Sequence, residues 1–246
     1  MAGTEAGHYR VLVWYLVGQA SCLSSLDRQD ACPTKAERRT VFKNWGYSLR
    51  ELIKGSARMD VEPSYKVAVL GSSTETEDSP VGLKAFRIGR AIAIQGAIII
   101  TGGCPGLPHA AARGAISAGG LAVGVSPAAS RDEHLSVYGY PEDSRLMIYT
   151  GMGRVGRNVI LIRSCDAGIF VGGGIGTLNE LTNALAELGP AAAIGLLSDS
   201  GGIVDEVPRI IALAARPPSA RLIRESDPDT LVEMILTHIR SSRHRQ

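Results

Sequence analysis

Ala167-Gly168-Ile169-Phe170-Val171-Gly172-Gly173-Gly174-Ile175-Gly176-Thr177-Leu178-Asn179-Glu180-Leu181 is the stretch on which the fold turns. It opens with a short apolar run of the length of a buried strand. Four glycines then fall among five residues, and Leu178 to Leu188 continues with apolar residues at helical spacing. The order is strand, bare loop, helix start. Glycine lets a ligand approach the main chain closely. The unpaired N–H groups and positive dipole end of the following helix favour an anion, most simply a phosphate.

The same rhythm runs outward in both directions. Upstream, Lys66-Val67-Ala68-Val69-Leu70 reads as a strand ending in Gly71-Ser72-Ser73-Thr74. Ser79 is a candidate N-cap before Pro80, and Leu83, Phe86, Ile88, Ala91 and Ile92 follow near one helix face. Ala97 to Thr101 is a second strand, running into Gly102-Gly103-Cys104-Pro105-Gly106 and an Ala-rich helix from Pro108 to Ala118. Leu121 to Val125 and Leu146 to Tyr149 are the third and fourth strands. Ser130 to Asp143 between them reads as a long polar loop, a candidate lid or partner contact. Val155 to Ile162 is a helix leading back to Ala167. Downstream come a strand at Ala192 to Leu197, a helix at Ile203 to Ala215, and an amphipathic helix at Pro228 to Ile239 that Asp227 caps. Strands alternating with helices imply an α/β fold, Rossmann-like and doubly wound, with a mainly parallel sheet covered by helices on both faces.

Residues 1–58 are unlike the rest, with no sustained period except in the basic segment Lys35 to Lys54, where one amphipathic helix fits. They read either as a loosely attached extension or as residues upstream of a natural start at Met59, and the second is preferred. The domain is then 59–246. The run Val11 to Val17 has the length of a signal-peptide core, but Glu5 spoils the charge of the region before it. No apolar run reaches the roughly 18 residues needed to span a bilayer, so no membrane association is expected. With 26 basic and 24 acidic residues, and aromatics at only 5%, neither charge nor stacking surface argues for nucleic acid. The four cysteines lack any C-x-x-C pair, which points away from a zinc site or a disulfide framework and towards a reducing cytoplasm.

Three bends fall at strand carboxyl ends: Gly71-Ser72-Ser73, Gly102-Gly103 with Gly106, and Gly172 to Thr177. A parallel sheet puts all three on one edge, where they would line a single crevice. The candidate phosphate and ligand contacts are therefore Gly71, Ser72, Ser73, Gly102, Gly103, Gly173, Gly174, Gly176 and Thr177. No Gly-Lys-Ser/Thr follows any bend, which excludes a Walker loop, and the dinucleotide glycine pattern with its acidic partner is also missing. Tight turns alone would also account for the glycines. Glu180 has two readings. With Thr177 it forms an S/T-x-x-E capping box, or its carboxylate stabilises a developing sugar cation beside the phosphate loop. Arg157 lies on the helix returning to the same edge and suits a bidentate oxyanion, although a solvated helix face is the commoner fate of arginine. Asp166 reads as a capping or pairing residue and His109 as structural. Cys104 is a thiol without an evident base.

Thr101-Gly102-Gly103 with Gly106, followed by Gly173-Gly174-Ile175-Gly176-Thr177-Leu178-Asn179-Glu180, resembles the LOG (lonely guy) superfamily, long misnamed lysine decarboxylases. The similarity covers roughly Lys66 to Leu197. It implies a nucleoside 5′-monophosphate ligand and phosphoribohydrolase chemistry that cleaves the N-glycosidic bond, with Arg157 and Glu180 as the catalytic pair and no cofactor or metal required. Two residues depart from the pattern of the hydrolases: Gly172 stands where the motif has proline, and Asn158 where lysine is usual. With Thr150-Gly151-Met152-Gly153, these departures are more similar to the branch that includes molybdenum-cofactor carriers. That branch implies the alternative, a pterin-phosphate ligand held without turnover. Either way the resemblance implies a homo-oligomer, a dimer or tetramer.

Overall fold

The computed structural model describes residues 65–142, 144–214 and 217–243. The chain divides between Val61 and Glu62 into two units, and the described residues belong to the second. The expectations for the extension, the Lys35 to Lys54 helix and a start at Met59 lie outside the described residues.

The elements are β1 (Lys66–Gly71), α1 (Pro80–Ile94), β2 (Ile98–Thr101), α2 (Leu107–Ser117), β3 (Ala122–Ser126), α3 (Arg131–Ser136), β4 (Leu146–Tyr149), α4 (Gly153–Arg163), β5 (Ala167–Val171), α5 (Ile175–Glu187), β6 (Ala193–Leu197), α6 (Gly202–Ala214), β7 (Arg221–Glu225) and α7 (Pro228–Arg243). The strands form one sheet in the order β4-β3-β2-β1-β5-β6-β7, and every pairing is parallel. The chain steps outward from β1 to β4 and then returns to β5 beside β1. That reversal opens a crevice at the carboxyl ends of β1 and β5.

Period-2 alternation divides the apolar runs between two cores. Val67, Val69, Ile99, Ile169 and Val171 pack with α1, α2 and α7 on one face. Ala68, Leu70, Ile100, Phe170, Ile194 and Leu196 pack with Leu161 and Ile162 of α4, Leu181 of α5 and Val204 of α6 on the other. Burial on both faces is what lets these strands read as continuous hydrophobic runs. Capping follows the sequence: Ser79 Oγ accepts from Gly82 N at 3.0 Å and Asp227 Oδ1 from Thr230 N at 3.0 Å.

Three local readings change. The Ser130 to Asp143 stretch holds a short helix, α3, capped by Ser130 Oγ at 3.2 Å from Glu133 N. It is tied down by His134, which is fully buried; its Nδ1 meets Ser126 Oγ at 2.9 Å and its Nε2 the Pro141 carbonyl at 3.0 Å. β7 has no counterpart in the sequence reading. Finally, α5 begins at Ile175 on a Gly174 N-cap with no side-chain cap, so Thr177 and Glu180 lie inside the helix and form no capping box.

Candidate functional site

The three glycine bends meet at one rim. Gly71 and Val171 are register partners, and a Cβ on Gly71 would lie 2.4 Å from the Val171 carbonyl. The β1 and β2 bends are locked together where Leu107 N donates to the Ser72 carbonyl at 2.9 Å. Gly106, at φ 79°, allows that approach, because a Cβ there would sit 2.5 Å from the same oxygen. Ser72 Oγ is engaged locally, accepting from Glu75 N at 3.1 Å, while Ser73 is exposed. Gly102 and Gly103 are buried, and Gly103 N donates to Thr101 Oγ1 at 3.2 Å.

Gly172 adopts φ 55° and Gly173 φ 86°. Proline, held near φ −65°, cannot occupy the first of these, so the departure at Gly172 changes the backbone and not only the side chain. The Gly172 N–H that proline would lack donates to Ser200 Oγ at 2.9 Å, and Ser200 Oγ passes its own hydrogen to the Leu197 carbonyl at 2.6 Å. Ile203 N fixes the Gly173 carbonyl at 2.8 Å. Thr177 is buried against Gly173. Gly174 and Gly176 face open space, for a Cβ on either would meet nothing within 4 Å. The first intrahelical bond of α5 is Leu178 N to the Gly174 carbonyl, at 2.9 Å. The N–H groups of the turn before it are left for an outside acceptor.

Arg157 does not lie on a solvated face. Only 4% of it is exposed, and its guanidinium occupies the space beside Gly102, where a Cβ would fall 2.1 Å from Nη1. Its Nε and Nη1 are buried without a hydrogen-bond partner. A buried guanidinium N–H without an acceptor is costly, and a bound anion is the simplest relief. Glu180 Oε1 is 4.0 Å from Nη1, close enough for attraction and too far for a hydrogen bond. Burial pushes the Glu180 carboxyl up to about 7, with Arg157 pulling the other way. The site therefore holds a fixed cation beside a carboxyl that titrates near neutrality.

The other candidates sort by their contacts. Burial pushes the Cys104 thiol up to about 11, so it is not a ready nucleophile. His109 bonds Glu77, which also accepts from Arg113 at 3.0 Å; the cluster ties the β1–α1 loop to α2. Asp166 pairs with Lys66 at 2.9 Å at the opposite end of the sheet. Arg163 pairs with Glu187 at 2.9 Å, and Arg154 lies over the Tyr138 ring. Neither competes with Arg157 for its place in the crevice. Sequence reasoning missed Ser200, which secures the Gly172 bend from the loop after β6, and Asn179 on α5, which meets the Asn158 amide. Neither carries a sequence signal beyond its polarity, and Asn158 is noted in the sequence only as standing where lysine is usual. Among the described residues no three His, Cys, Asp or Glu side chains gather as a metal site, and no helix is long and apolar enough to cross a membrane.

The model of the SLOG cluster4 family matches residues 64–232. The chain belongs to this family. That agrees with the LOG/SLOG superfamily that the paired glycine motifs imply, and the solved structures this chain is similar to include molybdenum cofactor carriers. An uncharacterized protein of Archaeoglobus fulgidus is 43% identical over 103 residues, 42% of this chain and 63% of that protein. The chain thus spans less than two thirds of that relative's length. Among solved structures, the molybdenum cofactor binding protein from the phototrophic bacterium Rippkaea orientalis is 27% identical with a TM-score of 0.57, over 72% of this chain and 99% of that one. The molybdenum cofactor carrier protein from Chlamydomonas reinhardtii shares the fold at 24% identity and a TM-score of 0.53, over 71% of this chain and 99% of that one.

Proposed function

We infer that this SLOG protein binds a nucleotide-like ligand through its monophosphate at the β1/β5 crevice, and that the ligand is the molybdenum cofactor, carried without turnover. The observation that carries the reading is the buried Arg157, with Nε and Nη1 unpartnered beside a glycine-lined rim. The free N–H groups at the start of α5 and the open space at Gly174 and Gly176 fit a phosphate there. The pterin rests on the likeness to the Rippkaea protein and on two residues, Gly172 at φ 55° and the neutral Asn158. The cofactor is cargo in this reading: Arg157 and the α5 amides hold its charged tail, and Gly71, Ser72, Ser73, Gly102, Gly103, Gly173 and Thr177 shape the wall.

A second reading is favoured by one feature, Glu180 facing Arg157 across 4.0 Å. As a phosphoribohydrolase, the protein would add water at the sugar's anomeric carbon and break the N-glycosidic bond of a nucleoside 5′-monophosphate, giving free base and ribose 5-phosphate. Ionised Glu180 would stabilise the positive charge that develops on the sugar, and Arg157 would hold the substrate. The two readings separate in one experiment. The purified protein is given AMP in one vessel and molybdopterin in another, then passed through gel filtration. Retained pterin with no free adenine is expected; adenine release that Glu180→Gln abolishes would establish the hydrolase instead. A homo-oligomer belongs to both readings. The exposed Met152 at the N-cap of α4, with Val155 and Val159 on that helix, are the surface it would cover, and a single-chain mass in sedimentation equilibrium would remove it.

A further inference from the structure

Asn158 follows Arg157 on α4 and is 5% exposed. Its amide sits among three neighbours, and orientation decides which are satisfied. With the nitrogen turned towards the crevice it donates to Glu180 Oε1 at 3.2 Å and to the Arg154 carbonyl at 3.0 Å. In the opposite orientation Asn158 Nδ2 donates to Asn179 Oδ1 at 2.8 Å, but its oxygen is set against the Glu180 carboxylate and the Arg154 carbonyl. Turning the Asn179 amide together with that of Asn158 keeps the 2.8 Å bond, with Asn179 now donating to the Asn158 oxygen, and satisfies the other two contacts. The joint turn is therefore the arrangement hydrogen bonding selects.

This arrangement holds Glu180 from behind with a neutral donor. The charged and titratable groups around the carboxyl are Arg157 of α4, with Arg154 on the same helix and Cys104 of the β2–α2 bend. Without a donor at Asn158, no hydrogen bond among the described residues keeps the carboxylate from closing the remaining gap to the guanidinium, and a closed pair would consume the N–H groups that now lack partners. We propose that Asn158 is a positioning residue whose amide holds the Glu180 carboxyl away from Arg157, keeping the guanidinium Nε and Nη1 open for the ligand's anionic oxygens. The inference rests on the reading of this crevice as the ligand site. It assigns a task to a residue that touches neither the ligand nor the reacting atoms.

The test follows the Glu180 carboxyl directly, by NMR titration of the full chain with carboxyl-labelled glutamate, and measures molybdopterin affinity in parallel. In the wild type, the Asn158 side-chain NH2 resonances move with the Glu180 midpoint, and Glu180→Gln abolishes that movement. In Asn158→Ala, the closed ion pair favours the charged carboxylate, so the midpoint falls by about one pH unit or more. Molybdopterin affinity drops about tenfold, the equivalent of the same free energy. Adding Glu180→Gln to Asn158→Ala removes the competing charge and restores affinity to that of Glu180→Gln alone. An unchanged Glu180 midpoint in Asn158→Ala, with only a lower melting temperature, would overturn the proposal. If that variant does not fold, Asn158 NH2 resonances in the wild type that ignore the Glu180 titration overturn it equally. Failure of the wild type to bind molybdopterin, AMP or inorganic phosphate strikes the ligand reading, while the NMR titration still judges Asn158.

Discussion

Glu180 and Gly102 are the two residues at which the site's chemistry can be probed one atom group at a time. The Glu180 carboxyl is raised from 4.5 to about 7 in the folded chain by burial. Its contribution to stability is therefore fully present below about pH 4.5 and is lost as pH rises through about 7, on the order of 3 kcal/mol in all. Glu180→Gln removes that dependence. Denaturant unfolding at pH 4.5 and pH 8 is expected to show the wild type losing stability relative to Glu180→Gln as pH rises; parallel curves would mean that the carboxyl is not held in a desolvated place. Gly102→Ala tests Arg157 instead. The added methyl meets the flexible end of the guanidinium, 2.1 Å from Nη1, and not backbone, so the side chain swings away at small cost to stability. Ligand retention is expected to fall at least tenfold while unfolding shifts by less than about 1 kcal/mol, since the energy lies in the displaced charge-assisted bonds. Arg157 was legible as a candidate from its place on the returning helix. Its burial was not, because an arginine's fate depends on the space opposite, and Gly102 supplies that space from 55 residues earlier in the chain.

At the scale of elements, the apolar runs of β1, β2, β3, β5 and β6 were readable because a parallel sheet buried on both faces requires unbroken apolar strands. β7 escaped for the converse reason. Arg221-Leu222-Ile223-Arg224-Glu225 lies at the sheet edge with only Ile223 buried, so its pattern is too short and too charged to signal a strand. The start of α5 was misplaced because Ile175 is 84% exposed, which breaks the apolar period one turn early and makes Thr177 look like a cap. The α1–α2 contact offers a sharp test of the packing. A Cβ on Gly89 would lie 1.8 Å from the Ala111 carbonyl, and one on Gly114 would lie 2.0 Å from that of Phe86. Both obstacles are backbone, so the helices must part. Gly89→Ala is expected to destabilise the domain by about 2–4 kcal/mol despite alanine's better helix propensity. A neutral or stabilising result in thermal unfolding would show that the two helices do not cross at this distance.

Across the whole molecule, the strand order β4-β3-β2-β1-β5-β6-β7 makes the separate observations one site. The alternation of strands and helices announced a parallel sheet, and with it that bends after Leu70, Thr101 and Val171 share an edge. What the sequence could not show is which charged groups face that edge with partners and which without, since that is decided by contacts between elements far apart in the chain. In the proposed function the unpartnered Arg157 N–H groups take the oxyanion of a phosphate-bearing ligand. Molybdopterin affinity measured on the wild type and on Arg157→Gln decides whether they do. Loss of about one hundredfold in the variant is predicted, the worth of about 3 kcal/mol in charge-assisted hydrogen bonds. Equal affinity in the two proteins, with both folded, would contradict it.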